Sequence, residues 1–185
     1  MTGHPSAGTS SLCDVTDSQQ VDQAFKEAEA AHGPVTALVA SPGATNDRLL
    51  LIMSEEDFTS VVDTNLIGAF RVARRALRGM LAQRHGRIVL ISSTAALRGA
   101  AGQSNYAASK AGLVGLARTL THELRARDIT CNVVAPGLTE TDMSHALTEE
   151  QRQRLLDLPP AVRPIPTRSR TRWCSWPARV TCAAR

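Results

Sequence analysis

The chain has 185 residues, 43% hydrophobic and 21% charged, with a formal net charge of +4. That suits one globular, soluble core and excludes a disordered or fibrous chain. No apolar run approaches bilayer-spanning length, the opening MTGHPSAGTSS lacks the regions of a signal peptide, and Cys13, Cys131, Cys174 and Cys182 show no CxxC spacing; a membrane partner, a disulfide framework and a metal site are therefore not expected, and the expected location is cytoplasmic.

The positive charge is local. From Pro160 onward there are six arginines and no acid, whereas the preceding 159 residues carry 15 basic and 17 acidic side chains. A basic tail without periodicity on a slightly acidic body argues against nucleic acid as a partner.

In chain order, DSQQVDQAFKEAEAAHGP places Val21, Ala24, Phe25 and Ala28 on one helical face. Asp17 or Ser18 can cap that helix, and Gly33-Pro34 can end it. VTALVAS reads as a short, fully buried strand. SEEDFTSVVDTNLIGAFRVARRALRGMLAQRHG is a long helical stretch, with Ser54 and Asp57 placed for an N-cap and Gly86 as the expected stop. RIVLISS is a second apolar strand, SNYAASKAGLVGLARTLTHELRARD a helix that starts with small residues, and ITCNVVAPG a third strand. Apolar strands alternating with amphipathic helices imply a doubly wound α/β sheet of parallel strands covered on both faces. Ligands of such sheets lie beyond the carboxyl ends of the strands, which here read ASPG, ISSTAA and APGLTET.

Tyr106 and Lys110 stand one helical turn apart on a shared face. A lone phenol ionises near pH 10 and is a poor acid–base group at neutrality. An ammonium within a few ångströms is expected to pull that value down, letting the phenol exchange a proton with a carbonyl or alcohol oxygen. A bare YxxxK is equally an ordinary surface pair. Ser93, at the end of the preceding strand, could hydrogen-bond the same carbonyl. Asn65, a polar amide inside a helical stretch, either serves this centre or makes an internal hydrogen bond that kinks the helix near Gly68.

Together, the ordered segments CDVTD, VDTNLIGAF, GRIVLISS, GQSNYAASKAG and NVVAPGLTETDM resemble the short-chain dehydrogenase/reductase family, and within it the bacterial 3-oxoacyl-[acyl-carrier-protein] reductases. The resemblance runs from about Asp14 to Asp142. It implies a Rossmann-like parallel sheet and reduction of 3-oxoacyl thioesters on acyl carrier protein in fatty acid synthesis, with NADP(H), NAD(H) remaining open. It makes Tyr106 the proton donor, Lys110 the group that tunes it and holds the nicotinamide ribose, Ser93 the support of the substrate carbonyl and Asn65 a member of the proton relay. Asp14 and Val15 would border the adenine, Ser41 and Gly43 the cofactor wall, and Pro136, Gly137, Thr139 and Thr141 the nicotinamide end. The family's NNAG is here Ala40-Ser41-Pro42-Gly43, so both amide side chains are absent and Pro42 lacks an N–H. Thr139 replaces a usually apolar residue.

The resemblance also marks what to expect at the ends. TGHPSAGTS imitates the family's TGxxxGxG loop, but Ala7 and Thr9 stand where glycines belong. The expected organisation is an incomplete Rossmann domain over residues 1–159, lacking the family's first two strands and its last, with an irregular Arg-rich tail over 160–185. Read one base out of frame, WCSWP in that tail can encode the family's VxFLA, so the tail is expected to follow a frame change near Pro160. Loss of the last strand would impair the family's homo-tetramer. Two further readings stay open: an inactive truncated remnant, and a reductase of the same family acting on another ketone or alcohol. A serine hydrolase is disfavoured, since no G-x-S-x-G elbow appears and the five histidines have no motif partner.

Overall fold

The computed structural model describes residues 10–137; the tail, its expected frame change, Thr139 and Thr141 lie outside them. Helix α1 runs Ser18–His32 and strand β1 Ala37–Ala40. Helix α2 covers Glu55–Val62, a π-helical turn Asp63–Ile67 and helix α3 Gly68–Gln83. Strand β2 is His85–Ile91, the single turn α4 is Ala95–Arg98, helix α5 is Ser104–Leu124 and strand β3 is Asp128–Val134.

Local chemistry sets these limits. Asp17 caps α1 by accepting from the N–H groups of Gln19 and Gln20, and Gly33 ends it at φ 78°. Such a cap contributes about 1 kcal/mol. Ser54 and Asp57 form a reciprocal capping box at the start of α2. The long helical stretch does not stop at Gly86. Arg84 ends α3 in the left-handed region at φ 54°, and Gly86 lies inside β2. Glycine is required there for space, because a Cβ would sit 2.5 Å from the Met80 sulfur.

The three strands are parallel in the order β1-β2-β3. Leu38 pairs with Ile88 and Ile88 with Cys131, so alternate residues of all three strands share one face. That face packs with Val21 and Phe25 of α1, Val72, Ala76 and Met80 of α3, and Leu113 and Leu120 of α5 in one core. Fully burying a side chain such as Phe25 or Leu38 contributes roughly 1.5–3 kcal/mol. The seam between α1 and α3 is closed by Arg75, which donates to Asp22 at 2.7 Å and to Glu29 at 2.6 Å.

The parallel α/β sheet is as the sequence implies, with two differences. Among the described residues the helices cover one face, while the other carries Val39, 47% exposed, Val134 and the half-buried Val89 and Ile91. Because this second face is also apolar, the strands read as buried throughout, yet β1 is not fully buried. The CDV segment, where a strand is expected to follow the family's two absent ones, forms none; Cys13 and Val15 are nonetheless buried in the core. No helix of the described residues is long and apolar enough to cross a membrane.

Candidate active site

The carboxyl ends of the strands converge on one another through backbone bonds. The Ser92 N–H donates to the Val134 carbonyl at 2.7 Å, and the Thr94 N–H to the Pro136 carbonyl at 3.0 Å. Below them lies Lys110, only 3% exposed. Its ammonium donates to the carbonyls of Pro42 at 2.8 Å and Ile91 at 3.0 Å, joining the loop after β1 to the last residue of β2. The absence of amide side chains at Ala40 and Ser41 leaves this contact intact, because the acceptor is the backbone oxygen of Pro42. Burial pulls the Lys110 ammonium down to about 8. An ammonium has three donors, so two carbonyls leave one for a ligand.

Tyr106 sits one turn earlier on α5, with the Lys110 nitrogen 5.8 Å from its ring centroid. The Ser93 side chain lies towards the phenol and favours the phenolate. Burial opposes this and is stronger, and the charge of Asp47 adds to it; the phenol is therefore held above its ordinary range. The expectation that Lys110 lowers it is thus corrected. The ammonium lies against the ring and is directed at two carbonyls, so its field at the hydroxyl does not overcome burial. Ser93 is itself oriented by the Ala95 N–H, which donates to its oxygen at 3.2 Å.

Asn65 is fully buried in the π-helical turn. Its side chain accepts from the Ala44 N–H at 2.7 Å and donates to the Ala44 carbonyl at 3.0 Å and to the Ser109 hydroxyl oxygen at 3.0 Å. The amide therefore clamps the loop after β1 to α5, and the helical distortion, Asp63–Ile67, ends directly before Gly68, near which a kink was one of the two expected readings. Gly112 permits the approach, since a Cβ there would lie 2.7 Å from a Leu66 methyl.

Sequence reasoning missed three buried polar groups beside these. Ser92 donates to the Lys110 carbonyl at 2.8 Å. Ser109 donates to the Tyr106 carbonyl at 2.7 Å. Asn105 donates to the carbonyls of Asn46 at 2.9 Å and Asp57 at 3.0 Å. Asn105 and Ser109 repeat the Tyr106–Lys110 spacing one residue earlier, and a polar residue on a helix face that must be buried was the available signal.

Of the other expected site residues, Gly43 lies on the same loop as Pro42, with no atom within 4 Å of where a Cβ would stand, and Ser41 is exposed. Pro136 and Gly137 follow β3 beside Thr94. Asp14 is turned into its own loop, accepting from the Thr16 N–H and hydroxyl at 2.8 Å each. Val15 is in the core beneath Gly68, and its carbonyl accepts from Arg71 at 3.3 Å. The structure thus brings together Asn65, Ser93, Tyr106 and Lys110, with Asp14 and Val15 at the far end of the π-helical turn.

Comparison with known proteins gives the same pattern. The family model for short chain dehydrogenase matches residues 7–152. The chain is 48% identical over 151 residues to the 3-oxoacyl-[acyl-carrier-protein] reductases MabA of Mycobacterium avium and Mycobacterium tuberculosis (strain ATCC 25618 / H37Rv), covering 82% of this chain and 59% and 61% of those proteins. It is 42% identical over 156 residues to the 3-oxoacyl-[acyl-carrier-protein] reductase FabG of Escherichia coli (strain K12), covering 84% of this chain and 64% of that protein. The match therefore spans less than two thirds of each relative. On these grounds the chain belongs to the short-chain dehydrogenase family.

Proposed function

We propose that the chain is an NADPH-dependent reductase of 3-oxoacyl thioesters carried on acyl carrier protein. The observation that carries this reading is the buried Lys110 ammonium, held by the Pro42 and Ile91 carbonyls and set against the ring of Tyr106, with Ser93 towards the phenol. The similarity to reductases named for that substrate supports it.

The residues fit a nicotinamide nucleotide. Lys110 keeps one donor for a ribose hydroxyl, and the bare Gly43 leaves room beside the Pro42 carbonyl for a close ligand. When bound, the cofactor supplies a hydride to the substrate carbonyl carbon. The chain's own residues handle the oxygen. Ser93 and Tyr106 both donate to the carbonyl oxygen. A phenol held above its ordinary range is neutral at pH 7 and so arrives with the proton it must give. As that proton leaves, negative charge grows on the phenol oxygen, and the nearby Lys110 ammonium stabilises it in a poorly hydrated site. The ammonium thus acts where charge develops rather than on the resting phenol.

Purified chain should bind NADPH, read by cofactor fluorescence, and oxidise it in the presence of an acetoacetyl thioester. Tyr106→Phe should bind NADPH but turn over far more slowly. Binding of neither cofactor nor substrate by the unaltered chain would favour the silent remnant instead. Turnover of other ketones in place of the thioester would move the substrate but keep the centre.

A further inference from the structure

We propose that Asn105 and Ser109 are positioning residues that, with Asn65, grip the Tyr106 peptide at both ends and fix it to the loop after β1. The N–H of Tyr106 donates to the Asn105 side-chain oxygen at 2.7 Å, and its carbonyl accepts from Ser109 at 2.7 Å. Ser109 is held in turn by Asn65. All three side chains are fully buried.

The local need is plain. Tyr106 lies in the first turn of α5, where backbone N–H groups have no intrahelical partner, and Gln103 provides no side-chain cap. Asn105 satisfies that N–H from inside the helix and spends its amide hydrogens on Asn46 and Asp57. Asn65 meanwhile takes both backbone groups of Ala44. Two asparagines, from different helical segments, therefore hold alternate residues of one loop and bracket one tyrosine. The next residue on that loop, Asp47, is tied to Gln103 at 2.7 Å, and Arg48 donates its N–H to the Gly102 carbonyl at 2.8 Å. The phenol and this loop consequently move as one body. Any shift of the frame displaces the proton donor relative to Ser93, which hangs from a different element.

The inference rests on the proposed reductase for its kinetic readouts, but the positioning can be read without turnover, because Tyr106 is the only tyrosine in the chain. Asn105→Leu, similar in volume and without polar atoms, is expected to lower kcat about 10- to 100-fold, as a small misplacement of a reacting group does. Its NADPH affinity should stay within about threefold. In a Tyr106→Phe background the same substitution should have almost no further effect on residual turnover. Ultraviolet titration of the single phenol should move to lower pH, towards the ordinary value, as the loosened ring gains water. If Asn105→Leu does not fold by circular dichroism, Ser109→Ala carries the same readouts with the loss of one hydroxyl. An unmoved phenol titration in a folded variant overturns the inference. So does an undiminished kinetic loss in the Tyr106→Phe background. If the unaltered chain does not turn over at all, the reductase reading fails while the titration still decides the positioning.

Discussion

The carboxyl end of the sheet keeps one ammonium dry among neutral dipoles, whereas the amino end gathers its charges in water and pairs them. At the amino end Asp128 meets His85 at 2.6 Å and Arg87 at 2.7 Å, with His85 and Asp128 about half exposed. The hydrogen bonds from His85 and Arg87 hold the Asp128 carboxyl below its usual range. Nothing there is costly, because every charge has a partner and water. At the carboxyl end Lys110 has carbonyls but no carboxylate, and burial lowers its pKa to about 8. One sheet thus pairs its charges at the amino end and keeps a buried, unpaired ammonium at the other.

Four measurements can break or sharpen this contrast. The largest effect belongs to Tyr106→Phe, which should cost about 10²- to 10⁴-fold in turnover while the melting temperature stays near that of the unaltered chain. A comparable loss from Asp128→Asn would erase the distinction between the ends.

Next is the pH dependence of stability. The folded Lys110 binds its proton less tightly than the unfolded one, 8 against 10.5. Between those values the unfolded state holds more protons, so stability should rise with pH, by at most about 1.4 kcal/mol per unit. Cys131, pushed up to about 12 from 9.0, and Tyr106, also raised, act in the opposite direction at higher pH. The rise is therefore cleanest between pH 8 and 9. Denaturant melts of the unaltered chain and Lys110→Met should differ in that slope; parallel curves would show the ammonium to be better solvated than its burial implies.

Gly86→Ala, at the amino end, should cost about 1–3 kcal/mol by overpacking against Met80, measured by urea unfolding, with kcat unchanged. The smallest effect is expected from Asp128→Asn. Its melting temperature should fall by no more than about 2 °C and the fall should shrink in high salt. A large, salt-independent loss would make the amino end as tightly coupled as the site.

Much of this was legible in the sequence. Asp17, Ser54 and Gly33 act locally, and residues within a few positions of each other suffice to fix their roles. The Tyr106–Lys110 pair and Ser93 could be read because helical spacing and a strand end place them without long-range information. Gly86 was misread because its partner, Met80, lies across a helix-to-strand turn. Val39 was misread because alternation fails as a signal when both faces of a strand are apolar. Asn65 was recognised as needing a reason, but the reason lies 21 and 44 residues away, at Ala44 and Ser109.

The sequence by itself determined most of the elements, the family and the one-turn spacing of Tyr106 and Lys110, since these depend on local spacing and side-chain chemistry. Only the tertiary structure decided that the phenol rises rather than falls in pKa, that Lys110 is bound by carbonyls and that Asn105 is a clamp. Each of these depends on which groups from distant segments exclude water from the same few ångströms, and desolvation has no signature along the chain.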